Sequence, residues 1–170
     1  MKATLIALLA VAGSSCMQNK PLSTVPKLDV NLYAGLWYEA ARFPHRFEKN
    51  LQCVTARYTV RPDGKITVQN RGKKSNGSWS EIQGKAFVPN VQDPGKLKVQ
   101  FFWPFRAPYW VLKLDSQYRY ALVGAPGRDY LWVLCRKPQI PEEVLTEYLN
   151  AAKDMGFDIS KVERVRQDCN

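Results

Sequence analysis

Between Leu36 and Arg136 the chain breaks into short runs of alternating apolar and polar residues, each closed by a turn signal, at a spacing of about ten residues. Runs near 36–42, 53–60, 65–71, 79–87, 96–102, 109–114, 119–124 and 129–136 make eight expected strands. Pro62-Asp63-Gly64, the stretch 90–95 and Ala125-Pro126-Gly127 supply Pro/Gly joints. Strands joined so closely run antiparallel, because parallel neighbours need a long crossover. Eight is also the strand number at which a sheet closes into a barrel just wide enough for packed side chains or one small ligand. The expected fold is therefore all-β, an eight-stranded antiparallel up-and-down barrel.

Strand alternation gives the barrel an inside. With Trp132 inward, Tyr130, Leu134 and Arg136 share its face, while Leu131, Val133 and Cys135 face out. The same alternation lines the interior with Ala56, Tyr58, Val68, Asn70, Ile82, Ala86, Val99, Phe101, Tyr109, Val111 and Val123. Small residues stand at several places where Leu would fill the space. Either a filled core or a ligand cavity is compatible with this set. Glu39 shares the parity of Trp37, as a buried carboxylate or as an exposed one paired to a neighbouring Arg.

After Pro138 the pattern changes. PQIPEEVLTEYLNAAKDMGF carries Pro141 at a first helical position, acidic residues in the first turn and Gly156 as a stop, so a helix is expected over about 141–155. Val144, Leu145, Tyr148, Leu149, Ala152 and Met155 form one apolar stripe, which packs the helix on the outside of the barrel. The tail KVERVRQDC suits a short final strand.

The other end of the chain, MKATLIALLAVAGSSC, has a Lys, an apolar run too short to span a bilayer, and small residues ending in Cys16. This stretch resembles a bacterial lipoprotein signal, which implies cleavage after residue 15 and lipidation of Cys16; Gly13 departs from the usual pattern. The alternative is an ordinary signal peptide with an incidental Cys. Residues 16–28, polar and with two prolines, are expected to be a tether, and 29–170 the barrel domain. The chain of 170 residues has a net charge of +10, and the signal takes away only Lys2. Such a charge suits anionic lipid or nucleic acid on electrostatics alone, but an export signal and the lack of any nucleic-acid motif exclude the latter.

Three segments then carry a resemblance. GLWYEAARFPHRFEKN, LDSQYRYALVG and YLWVLCR, in this order and followed by a helix, resemble the conserved regions of the lipocalins, and among these the bacterial outer-membrane lipocalins and apolipoprotein D. The resemblance implies that Trp37 closes the barrel floor, that Arg136 lays its guanidinium across the indole, and that Gly35 lets a helical turn tuck beneath. It also implies a Cys53–Cys169 disulfide, where cysteine count alone gives only one pair plus one free thiol. Cys135 is then left over, as a buried inert thiol.

The function implied is that of a non-enzymatic carrier, anchored in the outer membrane and facing the periplasm, which binds, stores or transports fatty acids or lysophospholipids in membrane maintenance. Its partners would be these lipids and the membrane, with a homodimer left open. The competing readings are a structural envelope lipoprotein with a filled barrel and a lipocalin-type enzyme. The sequence is poor in the means for catalysis: its one histidine, His45, falls in a loop as a solvated residue, and no cofactor or metal motif is present. At the open end the loops are rich in Arg and Lys, with Phe102, Trp103 and Phe105 in one of them. Arg42, Arg71, Lys73, Trp103 and Arg106 are expected to form a mouth that holds an anionic headgroup while the chain enters tail first.

Overall fold

The computed structural model describes residues 21–46 and 48–169. The lipidation site expected at Cys16 and the signal before it lie outside these residues. Eight strands wind up and down as expected: β1 (Gly35–Arg42), β2 (Gln52–Val60), β3 (Ile66–Lys73), β4 (Trp79–Phe87), β5 (Lys96–Gln100), β6 (Ala107–Leu114), β7 (Tyr120–Gly124) and β8 (Leu131–Cys135). Each pairs antiparallel with the next, and β1 pairs with both β2 and β8, so the sheet closes. Ahead of it, α1 (Val30–Tyr33) is started by Asp29, whose carboxylate accepts from the amides of Asn31 and Leu32.

Closure divides the apolar residues between two cores. Inside the barrel, Trp37, Ala56, Tyr58, Val68, Ala86, Val111, Val123 and Leu134 belong to one buried cluster. Outside it, Leu122, Leu131 and Val133 belong to a second, which takes in Leu145, Tyr148 and Ala152 of α2 (Glu142–Asp154). The stripe read from the sequence is thus the buried face of this helix, and Gly156, with φ +86°, ends it in a conformation that favours glycine. Cys135 faces the outside and is buried, its Sγ beside the Gln139 carbonyl at 3.9 Å. Burial pushes its thiol up, which keeps it protonated.

The seam beside β1 departs from a plain barrel. The register of β1 against β8 shifts between Glu39 and Ala41, and the lower half of β1 alone, Gly35 to Tyr38, pairs with β2. Above it the C-terminal tail fills the gap. The short strand β9 (Glu163–Arg164) pairs with Ala41 and Arg42, Val165 donates to the Ala40 carbonyl, and Cys53 donates to the Arg166 carbonyl at 2.7 Å. The Gln167 amide then spans the opening, donating to the carbonyls of Glu39 and Val54. The tail is fastened by the expected disulfide, Cys53–Cys169, with Cα atoms 6.0 Å apart.

The segment expected to be a free tether is bound over its second half. Leu22 is buried in the outer core, Thr24 Oγ1 donates to Asp93 at 2.9 Å, and the Val25 amide donates to the Val111 carbonyl. Gly95 makes room for this strap, since a Cβ there would stand 2.7 Å from that of Thr24. Local composition marks the segment as polar and Pro-rich; the partners that fix it lie more than sixty residues away.

The disulfide closes a loop with a sequence separation of 116. Cys53→Ser and Cys169→Ser are each expected to lower the thermal midpoint by a similar amount, equivalent to roughly 4–5 kcal/mol in the chain-entropy model. The double variant should lose no more than either single one, because one bond cannot be broken twice. Thermal unfolding of the three variants under non-reducing conditions checks this; additive losses would assign the tail's stability to other contacts.

Candidate ligand-binding site

The closed end is built around one guanidinium. Arg136 stacks over the Trp37 ring with its Cζ 3.8 Å from the centroid. It donates from Nη2 to the Leu32 and Tyr33 carbonyls at the end of α1, from Nη1 to Leu36, and from Nε to Tyr118 in the β6–β7 turn. Trp37 Nε1 donates to the same Tyr33 carbonyl at 2.8 Å. Gly35 has φ +96°, and a Cβ there would meet Arg136 Nη1 at 3.2 Å. Conformation and space both call for glycine at this point.

Above this floor the inner wall follows the alternation read from the sequence. Ala56, Tyr58, Val68, Ala86, Tyr109, Val111 and Val123 are buried within the inner cluster, with Val99, Phe101 and Trp132 packed half-buried against it. Asn70 is cross-strand neighbour to both Ala56 and Ile82, and this rung is more accessible, Ile82 being exposed. The buried Asn70 Oδ1 has no hydrogen-bond partner among the described residues. Tyr130 stacks on Trp132, the rings 11° from parallel. The wall is thus shut below and graded toward exposure on its β3–β4 side.

A buried ionic network stands at the upper part of the wall, and it changes the reading of two residues. The register shift in β1 sets Arg42 opposite the inward Trp132, so Arg42 points inward rather than lying free at the rim. It is 4% exposed, bonds Glu39 at 3.1 Å, and donates to the carbonyls of Glu48 and Leu51. His45, expected to be solvated, tucks in with Nε2 2.7 Å from Glu48 Oε2 and its ring edge-on to Tyr130 and Trp132. These contacts tie the β1–β2 loop to the barrel wall. Burial lifts the Glu39 carboxyl well above its ordinary 4.5, the Glu48 charge adding to this and Arg42 opposing it. Burial also acts to raise Glu48, but His45, Arg42 and the Trp132 N–H outweigh it and hold Glu48 below its ordinary value.

The other expected mouth residues separate. Arg71 lies on the outer wall, its Cζ 4.0 Å from the centroid of the half-exposed Trp79 ring, and Arg106 covers Phe87 at 4.8 Å. Arg71 alternates with the inward Asn70 on β3, and Arg106 sits just ahead of β6. Lys73 ends β3, half-buried, its Nζ 5.8 Å from the Trp79 ring. Trp103 stands 86% exposed beside the exposed Phe102 and Phe105.

Sequence reasoning passed over Tyr33, His45 and Glu48 as parts of the interior, and over Gly84. A Cβ on Gly84 would come within 2.7 Å of the Phe101 ring, so glycine lets that ring lie against the wall. A glycine at an inward position of a strand was the available signal for Gly84. No local signal announces the β1 bulge. Among the described residues there is no group of three or more His, Cys, Asp or Glu set to hold a metal ion.

A closed antiparallel barrel with an apolar inner wall, a floor sealed by an arginine-stacked tryptophan and one helix on its flank defines a cup-shaped binding fold. The lipocalin-like domain family matches residues 28–167. The chain is 46% identical to the outer membrane lipoprotein Blc of Escherichia coli K12 over 162 residues, covering 95% of this chain and 92% of that protein. It is 36% identical to apolipoprotein D of Macaca fascicularis over 148 residues, covering 82% and 77% respectively. Insecticyanin from the tobacco hornworm has a similar solved structure, with a TM-score of 0.70 at 22% identity, covering 86% of this chain and 84% of that one. The chain belongs to the lipocalin family.

The split between the two carboxyls gives a pH test. Glu39 is raised, so its contribution to stability is complete below the unfolded value of about 4.5 and is lost as pH rises through the folded one; Glu48, lowered, contributes above 4.5 and loses this on acidification. Glu39→Gln keeps a neutral hydrogen-bonding group. Its urea midpoint is expected to gain on that of the wild type as pH rises above the unfolded value of about 4.5. Parallel profiles would show that Glu39 carries no net proton uptake on folding.

Proposed function

We propose that the protein is a lipid carrier of the outer membrane, attached through a lipidated Cys16 and facing the periplasm, which takes a single-chain lipid such as a fatty acid or lysophospholipid into the barrel. The observation that carries this reading is the inner wall itself: apolar side chains above a sealed floor, with the half-buried Asn70 and the exposed Ile82 toward the open end. The name of the Escherichia coli relative supports the location. A binding role without chemistry agrees with the way Glu39, Arg42, Glu48 and His45 are used, each held by another as a strut for the β1–β2 loop.

In this reading the chain goes in first and the headgroup stays at the open end, because the wall offers methyl and ring surface while the charges lie above or outside it. Each methylene buried adds about 0.8 kcal/mol, less the cost of ordering the chain. Affinity for saturated fatty acids is therefore expected to rise by up to roughly tenfold per two added carbons until the barrel is full. Titration calorimetry on the soluble domain checks this; an affinity independent of chain length, or no binding at any length, would favour a filled structural barrel. Lys73→Glu with Arg106→Glu should weaken hexadecanoic acid more than hexadecanol, and more so at low salt, if the outer-wall cations act at a distance on the headgroup.

Attachment has its own test. Once its signal is cleaved, the Cys16→Ser protein is expected in the periplasmic rather than the outer-membrane fraction, since the described residues contain no helix long and apolar enough to cross a membrane. Retention of the cleaved Cys16→Ser protein in the membrane fraction would place the anchor elsewhere.

A further inference from the structure

Near the closed end three hydroxyls from three separate elements meet inside the inner cluster. Tyr33 comes from α1, Tyr58 from β2 and Tyr109 from β6; they are 3%, 6% and 8% exposed. Tyr58 Oη donates to Tyr109 Oη at 2.8 Å, and Tyr33 Oη shares a hydrogen bond with Tyr109 Oη at 2.7 Å. The rings pack as a chain, Trp37 to Tyr33 at 5.0 Å, Tyr33 to Tyr58 at 5.6 Å and Tyr58 to Tyr109 at 5.9 Å between centroids.

The donor count does not close. Three hydroxyls bring three O–H donors, but they make two hydrogen bonds, both with each other. Tyr58 spends its proton on Tyr109. If Tyr109 donates to Tyr33, the Tyr33 proton has no acceptor; if Tyr33 donates to Tyr109, the Tyr109 proton has none. In either arrangement one O–H is left over in a buried place, where polar groups are nearly always satisfied. Phenylalanine at these three positions would have filled the same volume with no such cost.

We propose that the Tyr33–Tyr58–Tyr109 cluster is a polar recognition point at the closed end of the barrel, which donates its remaining O–H to an uncharged hydroxyl or carbonyl oxygen on the end of the ligand that enters first. This deepens the lipid-carrier reading and rests on it: the preferred ligand is a chain oxygenated at its leading end, not one that ends in methyl. An uncharged oxygen fits better than a carboxylate. Burial pushes all three phenols up, which keeps them neutral donors, and the Glu39 and Glu48 charges act on Tyr58 in the same direction. The cation that acts on Tyr33, Arg136, is committed to four backbone carbonyls and the Trp37 ring.

The experiment pairs saturated fatty acids of twelve to eighteen carbons with their ω-hydroxy counterparts and measures affinity for the soluble domain by calorimetry. In the wild type the ω-hydroxy acid is expected to bind roughly threefold to tenfold tighter at the chain length that reaches the cluster, the worth of one net hydrogen bond. With all three tyrosines changed to Phe the order should reverse, because the same hydroxyl would be buried without a partner; isosteric removal of a whole hydrogen-bonded set costs little stability. Tyr33→Phe alone should keep the preference, since it leaves the Tyr109 proton unspent. Tighter binding of the methyl-ended acid by the wild type at every length overturns the proposal and leaves the carrier reading intact. So does a preference that survives in the triple variant, and so does equal affinity at every length, as expected if a buried water already takes the proton. Failure of both series to bind removes the carrier reading and the proposal with it.

Discussion

The guanidinium of Arg136 is the point on which the closed end depends. It lies flat on Trp37 and at the same time bonds the last carbonyls of α1, the first strand and the β6–β7 turn, so three segments are referred to one planar group. A lysine has neither the flat face nor the forked donors for this. The consequence runs upward. With Trp37 fixed as an inward residue, the alternation of β1 is set, and through its pairing with Ala56 and the pairing of Ala56 with Asn70 the inner faces of β2 and β3 are set with it.

The same strand that is anchored so firmly below is deliberately irregular above. Past Tyr38, β1 gives up β2 as a partner, and a single register shift turns Arg42 into the barrel. A buried guanidinium needs more than one acceptor, and the β1–β2 loop supplies them by folding back with Glu48 and two carbonyls. The gap left between the two strands is closed by residues from the far end of the chain, held by Gln167 and the Cys53–Cys169 bond. Bulge, ionic network, tail and disulfide are therefore one device. It shapes the rim on the side of β1 and gives the loop above it few ways to move.

Under the proposed reading a lipid would meet three environments in turn: exposed aromatic rings at Trp103 and its neighbours, an apolar wall, and a tyrosine cluster near the floor. The wall supplies affinity without direction, since burial of apolar surface is indifferent to which end leads. Direction has to come from the polar features at the two ends, and these differ in kind: charged groups lie above and outside, neutral phenols below.

Much of this was legible in the residues. Turn signals and period-two alternation mark eight strands and the inward set from Ala56 to Trp132; Pro141, the apolar stripe and Gly156 mark the helix; and the three lipocalin segments carry the roles of Trp37, Arg136 and the Cys53–Cys169 pair. These are properties of local geometry or of a shared motif. Tertiary structure decided the rest. One inserted residue in β1 reverses the parity that makes Arg42 look like a rim cation, and no short-range pattern encodes it. Arg71 and Arg106 lie against the rings of Trp79 and Phe87, both supplied by β4. The strap at Leu22 to Val25, the seat of His45 and the meeting of Tyr33, Tyr58 and Tyr109 likewise depend on partners distant in sequence. Alternation can say that a side chain faces inward, but which groups it meets there is set only when the barrel closes.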